Sequence, residues 1–371
     1  MAGKVIRVLV VDDSAVIRQI IADIVGAEPD MTVAGTAADG EKALAVLDAV
    51  APDVVTLDVQ MPKMDGLATL EAILARRPVP VIMVSSLTQL GANITLDALD
   101  RGALDYVPKP DYGMDTRAGL RDELLRKLRA AAGVDVRRIL EIREERKRRR
   151  EERRNRPAPA KEVSDDGAAE LADKCIAIGI STGGPPALTV LFEGLRPPLP
   201  PIVVVQHMPP NFTKPLAWRL DALSPLAIEE AQGGDVLRPN QVLIAPGGRH
   251  LKLVRAGQTA KAVLDDGPNV SGHKPSVDAM MQSAAAIFGR RTLGVVMTGM
   301  GRDGSDGCRA IRQAGGYVLG QDEATSDVYG MNKVAFAEGN VDRQFPLPEA
   351  AKCIAQYVRR TWCRQPAGAA C

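Results

Sequence analysis

The chain of 371 residues has few histidines, no paired cysteines, no long apolar run and almost no net charge, and each shortage excludes something. His207, His250 and His273 are the only imidazoles that a base-assisted reaction could use. Cys175, Cys308, Cys353, Cys363 and Cys371 are odd in number and form no CxxC pair. That argues against a zinc or disulfide framework and for reduced thiols in a cytosol. No apolar stretch approaches the roughly 20 residues that a membrane span needs. The opening "MAGKVIRVLVVDDS" turns acidic, so a cytoplasmic protein without membrane insertion is expected. A formal charge of +1 gives no bulk field for a nucleic acid or a lipid surface.

What is present is α/β alternation, twice. Residues 4–125 alternate short apolar runs ("VIRVLVVDD", "MTVAGTA", "VVTLDVQ", "VPVIMVSS", "LDYVPKP") with helical spacing, which predicts a five-stranded parallel sheet covered on both faces. Residues 173–365 resume the pattern with "KCIAIGIS", "PIVVVQH", "LAIEEA", "QVLIAPG", "TAKAVLD", "TLGVVMTG" and "YVLGQD". These predict a second doubly wound α/β domain with a mostly parallel sheet, and a hairpin around "HLKLVRAGQTAKAVL". Helices are expected over Pro185–Leu195, Lys214–Leu223, Ser276–Phe288 and Asp306–Ala314. Between the domains, 126–172 is a charged, partly helical linker. Arg137–Arg156 carries eleven basic and five acidic side chains, net +6. It suits a solvated connector laced with i,i+4 ion pairs and broken at Pro157 and Pro159, or a docking strip for an acidic partner or anionic lipid.

In the first domain Asp12 and Asp13 end one strand and Asp58 ends another, so their carboxylates converge at the carboxyl edge, where ligands of such sheets bind. Three close carboxylates repel unless a hard cation sits among them, and Mg2+ suits that oxygen set. Ser85 and Lys109 end two further strands and add a hydroxyl and a positive charge, a combination fitted to a transferred phosphoryl. Asp13 or Ser14 could alternatively cap the following helix. The run "VDDS", "LDVQMPKMDGL", "VSS" and "KP", in this order, resembles the flavodoxin-like receiver domain of response regulators. The resemblance implies that Asp58 accepts a phosphoryl from a histidine kinase, with Mg2+ held by Asp12, Asp13, Asp58 and the Gln60 carbonyl. It also implies Ser85 and Tyr106 as switch residues and Lys109 as the phosphoryl partner.

In the second domain "GISTGG" places Ser181 at a tight strand-to-helix turn of the G-x-S-x-G kind. Ser181 or Thr182 could cap the helix that follows, or the turn could cradle a phosphate. A nucleophilic serine needs a base and an orienting acid. His207 closes "PIVVVQH" at the same edge and is the best base, while His250 and His273 suit loop or substrate contacts. Asp303 and Asp306 of "TGMGRDGSDG" follow a third strand. The order Ser, His, Asp is not that of the α/β-hydrolases, so the motif does not import their fold.

The motifs "GISTGG", "VQHMPPNFT", "HKPSVD", "TGMGRDG" and "GGYVLGQDEATSDVYGM" behind a receiver resemble the bacterial chemotaxis protein-glutamate methylesterase family, CheB. The resemblance implies Ser181 as nucleophile, His207 as general base then acid, and Asp303 as its orienting group. Thr182 would support the histidine, the Met300 backbone would serve the oxyanion hole, and Asp306 would cap a helix. It implies a phosphorylation-activated hydrolase that removes methyl groups from chemoreceptor glutamates and deamidates receptor glutamines. Its partners would be methylated chemoreceptors and the chemotaxis histidine kinase, without nucleic acid, and the esterase reaction would need no cofactor. Ile180 and Asn332 depart from the family's usual "GASTGG" and "GMP". A DNA-binding regulator would need a compact helix-turn-helix module that these α/β residues do not offer. Dinucleotide binding would need G-x-G-x-x-G spacing, which "GISTGGPP" lacks.

Overall fold

The computed structural model describes residues 4–86, 88–109, 114–154, 169–257 and 259–363. Pro157, Pro159 and Cys371 lie outside them. The chain divides into two compact units after Arg153.

The first unit runs β1 (Ile6–Val11), α1 (Ala15–Gly26), β2 (Met31–Ala37), α2 (Gly40–Val50), β3 (Val54–Asp58), α3 (Gly66–Arg76), β4 (Val81–Ser85), α4 (Gln89–Arg101), β5 (Asp105–Pro108), α5 (Met114–Ala131) and α6 (Val136–Arg154). Its strands pair in the parallel order β2-β1-β3-β4-β5. All of β3 and β4 is buried, as strands sandwiched between helix layers must be. Short polar side chains start the helices: Ser14, rather than Asp13, caps α1 by accepting from Ile17 N–H, Asp39 caps α2 and Asp65 caps α3.

The basic stretch begins on this unit. Val136 and Ile139 are buried, and the Arg143 guanidinium donates to the carbonyls of Leu99 at 2.7 Å and Ala103 at 3.4 Å. Leu99 lies in the last turn of α4 and Ala103 just past its cap, at the helix end where a cation is favoured. Arg137, Arg138, Glu141, Glu144 and Glu145 face solvent.

The second unit runs β6 (Cys175–Ile180), α7 (Gly184–Gly194), β7 (Ile202–Gln206), α8 (Thr213–Leu223), β8 (Ala227–Glu230), β9 (Gln241–Ile244), β10 (His250–Ala256), β11 (Thr259–Asp265), α9 (Val277–Phe288), β12 (Thr292–Val296), α10 (Ser305–Gln313), β13 (Tyr317–Gln321), α11 (Met331–Ala337), β14 (Arg343–Phe345) and α12 (Ala350–Thr361). The main sheet is parallel throughout, in the order β14-β13-β12-β6-β7-β9-β8, while β10 and β11 form a separate antiparallel hairpin. The α/β class of both units is as expected. The strand order reverses between β6 and β12, and such a switch point opens a crevice at the carboxyl edge. Ser181 follows one of these strands and Asp303 the loop after the other.

Gly179 in β6 shows how tightly that edge is filled: a Cβ there would lie 2.2 Å from Val277 Cγ1. Val277 opens α9 and is itself fully buried, so it has nowhere to go. Gly179→Ala is expected to destabilise the second unit by about 1–3 kcal/mol through overpacking. Gly26→Ala, at the end of α1 with nothing within 4 Å of the new methyl, is expected to stabilise by about 0.5–1 kcal/mol. Urea unfolding of the two variants beside the parent chain checks both signs.

Candidate active site and acidic pocket

The parallel register sets Ile180 beside Gln206, so Ser181 and His207 leave adjacent strands side by side, and His207 N–H donates to the Ile180 carbonyl at 3.2 Å. Ser181 does not cap α7. The cap is Gly183, left-handed at φ +76, with no side-chain bond, and neither Ser181 nor Thr182 serves there. The Ser181 backbone is held instead: its N–H donates to the Thr298 carbonyl at 3.0 Å, and its carbonyl accepts from Gly184 N–H at 2.8 Å and Gln206 Nε2 at 3.0 Å. A Cβ on Gly184 would fall 1.8 Å from Gln206 Oε1, and one on Gly299 would fall 2.8 Å from Ser181 Cβ. The loop carrying Met300 therefore lies directly on the serine. Thr298 joins the two, its hydroxyl donating to the Thr182 carbonyl at 3.0 Å and accepting from Val328 N–H at 3.0 Å.

His207 Nε2 lies 2.8 Å from Asp303 Oδ2. Asp303 is 1% exposed and satisfied by the start of α9: Oδ2 also accepts from Val277 N–H at 2.8 Å, and Oδ1 accepts from Ser276 Oγ and Asp278 N–H, both at 2.9 Å. A helix N-terminus with its amides aimed at a carboxylate favours the anion. The structure thus brings Ser181, His207, Asp303, Thr182 and Met300 to one edge.

Asp306 differs from its expected role. It does not cap α10, whose cap is Gly304 at φ +97. Instead it pairs on the surface with Arg302 at 3.1 Å and Arg309 at 2.8 Å. His250 is buried, with Nε2 2.9 Å from the Pro268 carbonyl and Nδ1 accepting from Ser276 N–H at 3.2 Å. These partners assign it a neutral ring with the proton on Nε2, holding Ser276 in place. His273 stacks on His207, centroids 3.8 Å apart. The departure Asn332 is buried and donates to the Gln321 carbonyl and Ser326 Oγ, both at 2.8 Å, tying the end of β13 to α11.

Ser276, Asp278 and the stacking of His273 are the contributions that sequence reasoning missed. Asp278 Oδ1 accepts from Gly304 N–H at 2.8 Å and Gly307 N–H at 2.7 Å, and Oδ2 from Ser271 Oγ at 2.6 Å. Burial pushes its carboxyl up to about 6 against the pull of Ser271, and the nearby Asp303 charge adds to the rise. "HKPSVD" carried the signal, but nothing in it says that the start of α9 folds onto the loop after β12.

In the first unit the carboxylates of Asp12, Asp13 and Asp58 lie within 4.8 Å of one another. Lys109 Nζ bridges two of them, 2.8 Å from Asp58 Oδ2 and 3.0 Å from Asp12 Oδ2. Burial raises Asp58 to about 6, opposed by Lys109 and reinforced by Asp12, and burial raises Asp12 as well. Burial works to lower Lys109, but the carboxylates of Asp58 and Asp12 hold it above its ordinary value. Gln60 N–H donates to Asp58 Oδ1 at 3.3 Å, and an open pocket of about 480 Å³ adjoins Asp13 and Gln60. Two buried carboxylates whose Oδ2 atoms share one ammonium make an all-oxygen donor set that fits a hard divalent cation. Ser85 Oγ lies 3.3 Å from the Gly91 carbonyl. Tyr106 is buried beneath Lys127, its ring 4.9 Å from the ammonium, and burial drives its hydroxyl well above the usual range.

Comparison with known proteins assigns both halves. Residues 8–118 match the response regulator receiver domain, and residues 176–354 match the CheB methylesterase domain. A protein-glutamate methylesterase/protein-glutamine glutaminase of Pyrococcus abyssi is 43% identical over 360 residues, covering 96% of this chain and 95% of that protein. One of Pseudomonas aeruginosa is 42% identical over 358 residues, covering 96% and 97%. The crystal structure of the Thermotoga maritima CheB methylesterase catalytic domain is 39% identical, covers 50% of this chain and 98% of its own, and gives a TM-score of 0.49. The chain thus joins a receiver to a methylesterase domain. It belongs to the CheB family of protein-glutamate methylesterases/protein-glutamine glutaminases.

Two consequences are measurable. A carboxyl at about 6 in the fold, above its ordinary 3.8, takes up a proton on folding, so stability falls as pH rises from 4 through 6. Asp58→Asn removes that penalty and is expected to stabilise the first unit at pH 7.5 by on the order of 1–3 kcal/mol. Hydrogen exchange of β1 and β3 in the intact chain should show the gain shrinking toward pH 4. Asp278→Ala strands three donors and is expected to cost about 3 kcal/mol in the second unit, whereas Asp278→Asn, which keeps an acceptor, stays within about 1 kcal/mol of the parent chain by urea unfolding.

Proposed function

We propose that this chain is a phosphorylation-activated esterase that removes methyl groups from glutamate methyl esters of chemoreceptors and deamidates receptor glutamines, in the cytoplasm, during chemotactic adaptation. The observation that carries the reading is the 2.8 Å contact between His207 Nε2 and a fully buried, helix-held Asp303, at the edge where Ser181 leaves the neighbouring strand. The names of the relatives supply the substrate class.

With Nε2 committed to Asp303, Nδ1 of His207 takes the proton of Ser181 Oγ as the oxygen attacks the ester carbonyl. The developing oxyanion is met by backbone N–H from the loop at Met300. Collapse expels methoxide, which leaves as methanol with the proton from His207, and Ser181 is left as an acyl ester of the glutamate side chain. Water attacks in turn, His207 again carrying the proton, and a free glutamate is released. An amide follows the same course and releases ammonia.

In the receiver, Asp58 Oδ accepts the phosphoryl from a histidine kinase. Mg2+, when bound by Asp12, Asp13, Asp58 and the Gln60 carbonyl, would neutralise charge on that group. Lys109 pairs with the phosphoryl once it is attached, and Ser85 and Tyr106 respond as switch residues.

Methanol release from methylated receptor membranes, with and without acetyl phosphate, tests the reading. Ser181→Ala is expected to lose at least about 10³-fold in turnover. Asp58→Ala should keep the basal rate and lose the stimulation by acetyl phosphate. No Ser181-dependent release from a folded, phosphorylated chain would overturn the assignment.

A further inference from the structure

The ring of His273 lies face to face with that of His207, planes 10° apart, yet no step of the reaction calls on it. It reaches that position on a tight turn. Val270 and His273 exchange both backbone hydrogen bonds, at 3.1 and 3.0 Å. Ser271 and Gly272 between them sit at φ +52 and +81, the paired positive φ that a type I′ turn requires. A serine adopts that region only under constraint, and the constraint is visible: its hydroxyl donates to Asp278 Oδ2 at 2.6 Å. The other oxygen of Asp278 holds Gly304, the residue after Asp303, and Gly307 in the first turn of α10. Just past the turn, the Lys274 carbonyl accepts from Gly248 N–H at 3.3 Å. The turn that presents His273 and the loop that presents Asp303 therefore hang from one carboxyl group.

We propose that His273 is a positioning residue that fixes the plane of the His207 imidazole. The contact to Asp303 fixes the position of one nitrogen of His207, and a flat ring held 3.8 Å from its face sets the plane by contact. Proton transfer to and from a serine oxygen tolerates little misalignment, so the plane matters to the rate rather than to substrate binding. This rests on the reading of Ser181 and His207 given above.

The test compares the intact wild-type chain with Ser181→Ala, His273→Ala and His273→Phe in the methanol-release assay. His273→Ala should lose about 10- to 100-fold in kcat with KM within about twofold of wild type. His273→Phe, a flat ring that cannot titrate, should recover kcat to within about fivefold of wild type. Unchanged kcat in His273→Ala overturns the proposal. So does a rise in KM at constant kcat, which would make His273 a substrate contact. Failure of His273→Phe to rescue at an unchanged unfolding midpoint overturns it too, because the nitrogens rather than the ring would then matter. A second readout needs no turnover: in the Ser181→Ala background, the His207 Nε2–H resonance should broaden with His273→Ala and sharpen again with His273→Phe. If wild type shows no Ser181-dependent release, the esterase reading fails. The resonance then decides on the stack alone, an unchanged signal in His273→Ala counting against it.

Discussion

The catalytic unit depends on how a single buried charge is satisfied. Asp303 has no access to solvent, and a carboxylate so placed is untenable unless donors surround it. The start of α9 supplies them, two amides and the Ser276 hydroxyl, together with the partial positive charge of a helix N-terminus. Meeting that demand fixes the loop after β12 against α9 and leaves one oxygen aimed at His207. The position of His207 is thus set by the same contacts that make the fold tolerable.

The acidic pocket of the receiver obeys the opposite logic. Here three carboxylates are crowded at the end of β1 and β3 with one ammonium between two of them, and the two buried acids titrate above their ordinary range. The crowding is a standing cost to the unit, lowered by any group that brings positive charge or removes negative charge. A site strained in this way is sensitive to a change of charge at Asp58, which suits a regulatory element.

The inner strands were the most readable, because β3, β4, β6, β7 and β12 are buried along their whole length and so read as short apolar runs. The strand ends then pointed to Asp12, Asp58, Ser85, Lys109, Ser181, His207 and the loop of Asp303 without further information. What escaped lies off the strand ends. Ser276, Asp278 and His273 follow a hairpin, and no periodicity reports that this segment returns to the loop after β12. Nor does the sequence "GRDGSDG" say which of its two acids faces inward. The left-handed Gly304 turns Asp303 in and leaves Asp306 to the surface arginines. The elements α11, β14 and α12 also went unread, β14 because three residues carry no usable alternation.

The crowded glycines at this edge bear on how such a site can change over generations. Almost any replacement of Gly184 or Gly299 adds a Cβ, which would sit 1.8 Å from Gln206 on one side and 2.5 Å from Met331 Sδ on the other. A single substitution there must displace a neighbour on another element, the Gln206 amide at the end of β7 or the Met331 side chain that opens α11. The turn around Ser181 is in that sense historically locked, while exposed positions such as Arg302 and Trp218 remain open to one-step exploration.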